Sequence, residues 1–146
     1  MFTTGLFLEA GAVEHQWIIQ AALIWTDAKF GMLSCPRGFI TDLASIPEAF
    51  RNIPFIDPDG LSRRPAAMHD WLYAWRGIGK DDADEFLRVA LLAEGCTPAA
   101  AATFYLGVHV FGQSSWDSDA GELSTIDFAI PGSYEAWRAS LVATAA

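Results

Sequence analysis

His69, Asp70 and Tyr73 fall on little more than one helical turn in the run Ala66-Ala67-Met68-His69-Asp70-Trp71-Leu72-Tyr73. On a helix His69 and Tyr73, four residues apart, share a face, while Asp70 is turned about 100° away from His69. An imidazole, a phenol and a carboxylate so placed suit general-base chemistry once a further acid orients the imidazole. Asp84, in Asp81-Asp82-Ala83-Asp84-Glu85-Phe86, stands where a second helix would supply that acid. Leu87 and Leu91 lie at its helical spacing, so Asp84 turns toward the apolar face, unlike Asp82 and Glu85. The catalytic candidates are therefore His69, Tyr73 and Asp84. Asp42 and Asp70 are the candidate ligands of a hard-cation site for calcium or magnesium, which takes several oxygens. Each of these residues also has a structural reading. A buried imidazole bonded to a carboxylate fixes a helix contact. With Asp81 as N-cap, Asp84 would be a first-turn acid favoured by the helix dipole, and Asp42 would close a loop through local backbone amides.

The elements that position these residues are legible in the pattern. Gln16 to Thr26 is β-prone, and Phe30 to Cys35 is its expected antiparallel partner across Asp27-Ala28-Lys29, with a turn at Pro36-Arg37-Gly38. Ser45-Ile46-Pro47-Glu48 has the form of a capping box, so Ser45 reads as a helix cap and not as a nucleophile, and Asp57-Pro58-Asp59-Gly60 reads as a turn. Three longer helices are predicted. The first starts near Ser62 or Pro65 and runs to about Trp75. The second starts at Asp81 or Asp82 and stops at Gly95. The third is capped by Thr97, with Pro98 at its first position, and ends at Gly112. A polar stretch over Gln113 to Gly121, a short strand near Ile126 to Ile130 and a closing helix from Ser133 to Val142 complete the reading. Strands first and helices afterwards give an α+β fold, a small N-terminal antiparallel sheet packed against three to four helices.

The 146 residues suit a single domain spanning residues 1–146, and 52% hydrophobic against 18% charged residues exclude a disordered chain. The net charge of −9 argues against nucleic acid as a partner, because phosphate contacts need clustered Lys and Arg. Cys35 and Cys96 form no CxxC pair and read as buried free thiols. His15 and His109 have no acid at ligand spacing in the sequence, which disfavours zinc. The acidic run holding Asp117, Asp119 and Glu122 does not match an EF-hand and reads as a solvated loop. Pro98 to Gly112, the longest helix-like apolar stretch, is too short to span a bilayer. Met1 to Val13 lacks the basic residues of a signal peptide, so intracellular synthesis is expected, with later incorporation into a particle as an alternative final location.

Three phrases in order, Pro36-Arg37-Gly38-Phe39-Ile40-Thr41-Asp42-Leu43-Ala44-Ser45-Ile46-Pro47, then Ala66 to Tyr73, then Ala83-Asp84-Glu85-Phe86, resemble the phage and prophage family called domain of unknown function 1353. The resemblance covers about residues 16 to 116, leaving 117–146 as a C-terminal extension, and implies a protein encoded by tailed phages or prophages. The His-Asp-x-x-Tyr run followed by Ala-Asp also resembles the active-site helix pair of phospholipase A(2). That resemblance implies His69 as the base activating water, Asp70 as a calcium ligand, and Tyr73 with Asp84 as support for His69. The glycine-rich calcium loop of those enzymes has no counterpart here.

Two functions are therefore expected in competition. One is a virion component, tail or capsid associated, or an assembly factor, meeting other virion proteins or a second copy through an aromatic surface that includes Trp17, Trp116 or Trp137. The other is a small His/Asp-dependent hydrolase of an ester or cell-envelope component, with calcium or magnesium as its cofactor. Burial of His69 discriminates between them, because a base needs a path to its substrate.

Overall fold

Short β-prone runs near the N-terminus become five strands in the computed structural model, which describes residues 1–43, 60–118 and 123–145. Strands β1 (Leu8–Ala10), β2 (Trp17–Ile19) and β5 (Ile40–Thr41) form an antiparallel sheet in the order β1-β2-β5. Strands β3 (Leu23–Asp27) and β4 (Gly31–Cys35) form a separate hairpin. The single strand expected over Gln16 to Thr26 is thus two strands in two sheets. The break falls at Gln20-Ala21-Ala22, where two small residues of low β-propensity leave little for a strand to pack. The hairpin pairs in the expected sense, with Asp27 opposite Gly31. Its turn is held by the Phe30 amide donating to Asp27 Oδ1 at 2.6 Å, and Gly31 takes the left-handed conformation that closes such loops.

Five helices follow among the described residues: α1 (Arg63–Trp75), α2 (Lys80–Glu94), α3 (Pro98–Phe111), α4 (Gln113–Ser118) and α5 (Ser133–Ala145). Thr97 caps α3 as expected, accepting from the Ala100 amide at 3.2 Å. Helix α2 begins just before the expected start at Asp81 or Asp82, because Gly79 is the N-cap and Lys80 the first helical residue. Asp81 is consequently a first-turn acid and not the cap, and Asp84 sits in the second turn. Arg76, in the left-handed region at φ 57°, stops α1 and returns the chain so that α2 packs against it.

The C-terminal part departs more from the expected pattern. The polar run after Gly112 is helical over α4, which buries no residue, and the strand expected near Ile126 is a 3-10 turn, Thr125–Asp127. Only one β-bridge, Phe39 to Phe128, forms there, because the Ser124 amide and hydroxyl both engage Asp127 Oδ2 and fold the chain into a turn. The expected Ser45 cap, the Asp57-Pro58-Asp59 part of the turn, and Asp119 and Glu122 lie outside the described residues.

The main core gathers Trp25, Trp71, Phe86, Met68 and Leu72 between the hairpin, α1 and α2. A second cluster of Leu87, Leu91, Cys96, Phe104 and Val108 joins α2 to α3. Both cysteines are buried and free. Trp71 meets Phe39, Phe128 and Trp137 edge-on, so the C-terminal segment closes over α1. Of the three tryptophans expected at a partner surface, Trp116 packs on Tyr73 and Trp137 on Trp71, leaving Trp17 as the more exposed one. No described helix is long and apolar enough to cross a membrane.

Candidate functional site

Helix α1 carries His69 and Tyr73 on one buried face, their rings 4.3 Å apart between centroids. The short return through Arg76 to Gly79 lays α2 alongside and brings Asp84 to both. His69 Nε2 lies 3.0 Å from Asp84 Oδ1, and the Tyr73 hydroxyl donates to the same oxygen at 2.6 Å. Lys80, one turn before Asp84, donates its ammonium to Oδ2 at 2.7 Å and reaches the Val108 and His109 carbonyls at 3.3 Å each. Asp84 is fully buried and His69 is 2% exposed. A carboxylate taken out of water at this cost persists only with charged and hydrogen-bonding partners on both oxygens. This one has them.

The protonation states follow. Burial pushes the His69 imidazole below its ordinary value, and the Asp84 bond only partly offsets that. Burial also raises the Tyr73 hydroxyl, with the Asp84 anion adding to it. For Asp84 burial pulls upward, but the bonds from His69, Lys80 and Tyr73 outweigh it and hold the carboxyl below its usual range. Asp84 is therefore an anion and an acceptor only, which assigns the His69 proton to Nε2 and leaves Nδ1 as the basic nitrogen.

Asp70 leaves this cluster for the sheet, where Thr41 Oγ1 of β5 donates to its Oδ2 and in turn accepts from the Leu43 amide at 3.1 Å. Asp70 thereby ties α1 to β5. It also adds to the burial that pushes the Cys35 thiol up. Asp42, two residues beyond Ile40, is exposed. Neither Asp42 nor Asp70 joins a group of three metal-capable side chains among the described residues.

Two members of the site were not read from the sequence. Lys80 precedes the expected start of α2, although Lys80-x-x-x-Asp84 is the spacing of a helical ion pair. His109 was set aside for want of nearby acids in sequence, and that reading is corrected by the fold. Its Nδ1 lies 3.6 Å from Asp84 Oδ2 and 3.9 Å from Asp81 Oδ1, because the acids come from the neighbouring helix.

The cluster makes folding stability pH-dependent. His69 binds a proton more readily in the unfolded chain, so its contribution is complete above about pH 6.5 and falls at lower pH, by up to about 1.4 kcal/mol per unit. Asp84, also lowered on folding, extends the loss into the carboxylate range. Urea midpoints measured from pH 8 to pH 5 should decline, and His69→Gln should flatten that slope. An unchanged slope in the variant would place the acid sensitivity elsewhere.

A family model described as a protein of unknown function (DUF1353) matches residues 9–108. The matched span contains Asp42, His69, Asp70, Tyr73, Lys80 and Asp84 and ends just before His109. It starts earlier than the region read from the sequence, within β1. No curated protein and no solved structure matches the chain.

Proposed function

We propose that this chain, which belongs to the DUF1353 family, is a non-catalytic accessory protein of a phage-type particle, a virion component or an assembly factor, with the His69 cluster as its internal brace. The observation that carries this reading is the sealing of the cluster: both Asp84 oxygens are occupied and the imidazole is buried at a helix contact. A hydrolytic base needs a path to its ester, and among the described residues His69 is only 2% exposed. Leu106, Val110 and Phe111 at the outer side of α3, and Trp17 on β2, leave apolar surface for other virion proteins or a second copy. The phage setting rests on the resemblance carried by the three sequence phrases. Proteomics of gradient-purified particles, with light scattering of the isolated chain, tests the proposal. Presence in particles or a defined oligomer is expected, and a strict monomer absent from particles would overturn it.

A second reading, the hydrolase, keeps one specific observation in its favour. His69 Nε2 is fixed by Asp84, with Tyr73 on the same oxygen, so the remaining nitrogen is oriented and basic. If this reading holds, chelator-treated protein hydrolyses phospholipid or simple ester substrates only on adding calcium or magnesium, and Asp70→Asn reduces both that activity and any cation-induced rise in Tm. On the accessory reading no hydrolysis above background and no rise in Tm are expected at millimolar calcium or magnesium.

A further inference from the structure

Helices α2 and α3 meet at the end of the cluster that faces solvent, and three ligand-type atoms converge there. His109 Nδ1, Asp84 Oδ2 and a carboxylate oxygen of Asp81 all lie within 4.8 Å of one another. The two measured His109 separations, 3.6 and 3.9 Å, approach the spacing of about 3.4 Å between ligands around a tetrahedral ion bound at 2.0–2.1 Å. Small side-chain adjustments would close the difference.

Two further observations prepare these donors. Asp84 Oδ1 is held by His69 and Tyr73, which fixes the carboxylate plane and turns Oδ2 toward His109, the kind of support that metal-binding carboxylates receive. The His109 ring stacks on Tyr105, 5.2 Å between centroids and 12° between planes, which holds the ring plane while Nδ1 faces the two acids. Lys80 occupies Asp84 Oδ2 at 2.7 Å, so an ion entering here displaces the ammonium from that oxygen, while the Val108 and His109 carbonyls remain as its partners.

We propose that Asp81, Asp84 and His109 form a binding site for a divalent transition-metal ion of the zinc type, with a fourth position open to solvent. An imidazole with two carboxylates selects such an ion over calcium or magnesium, which prefer all-oxygen surroundings. The ion would brace α2 against α3 just outside the sealed cluster. It is independent of the Asp42 and Asp70 candidates for a hard cation, of which Asp70 is bonded to Thr41 of β5.

The test uses the full chain, stripped with chelator and titrated with Zn2+ by calorimetry and with Co2+ by visible absorption. One ion per chain is expected, with the intense visible bands of four-coordinate Co2+. His109→Ala and Asp81→Asn alter exposed side chains, so both variants should keep the circular dichroism of the parent, and each should weaken binding by at least about tenfold. Absence of saturable binding at millimolar Zn2+ would overturn the site. Binding that both folded variants leave unchanged would overturn it equally, as adventitious surface binding.

Discussion

Asp84→Ala is expected to lower the free energy of unfolding by about 3 to 5 kcal/mol, the range for removing one partner from a buried charge network. The loss is large because three donors depend on one carboxylate. Without it Lys80 keeps two carbonyls at 3.3 Å but loses its anion, while the His69 Nε2 proton and the Tyr73 hydroxyl lose their acceptor at a site closed to water. Asp84→Asn should cost less, since one acceptor oxygen remains, yet its amide hydrogens would face a donor. Asp82→Ala, in the first turn of the same helix, provides the comparison and should stay within about 0.5 kcal/mol, as surface changes usually do. Urea denaturation followed by circular dichroism at pH 7 measures all three. A loss below about 1 kcal/mol for Asp84→Ala would mean that the cluster does not brace the fold, and the accessory reading would lose its main support.

Much of this site was legible because it depends on local spacing. His69 and Tyr73 share a face by helical geometry, and Asp84 turns inward because Leu87 and Leu91 define the buried stripe of α2. Glycine punctuation was informative at Gly95 and Gly112, where α2 and α3 do stop. Gly79 was harder. A glycine N-cap has no side chain to announce it, so the acidic residues that follow mark the start in the sequence and leave Lys80 outside the expected helix. His109 was missed for a different reason. Its acids are nearly two helices away in sequence, at the start of α2 while His109 is near the end of α3, and they become adjacent only after α3 folds back on α2, a long-range contact that periodicity does not encode. The division of the β region into two sheets belongs to the same class. Alternation shows which residues face inward, but the choice of β5 as the neighbour of β2 is made by chain return through Gly38, whose amide donates to the Ile19 carbonyl at 2.7 Å.

Trp71→Ala is expected to cost about 3 to 5 kcal/mol, the usual range for deleting a buried aromatic. Trp71 is a fully buried member of the core, beside the site on α1, and it joins segments distant in sequence: Phe39 before β5, Phe128 after the 3-10 turn and Trp137 on α5. Phe128 and Trp137 lie beyond the span matched by the family model, so this contact is one of those that fasten the C-terminal part of the chain to the family domain, beside the Phe39–Phe128 bridge and the packing of Trp116 on Tyr73. Trp137→Ala removes one side of that contact from a half-buried position and should cost less, while loosening α5 ahead of global unfolding. Hydrogen exchange would then show faster exchange in residues 133–145 of the Trp137 variant with the amides of α1 and α2 still protected. If Trp137→Ala leaves both stability and α5 exchange unchanged, the C-terminal segment is not fastened through Trp71. If α1 and α2 lose protection together with α5, the segment is part of one cooperative unit with the family domain, and removing it would unfold the site at His69 as well.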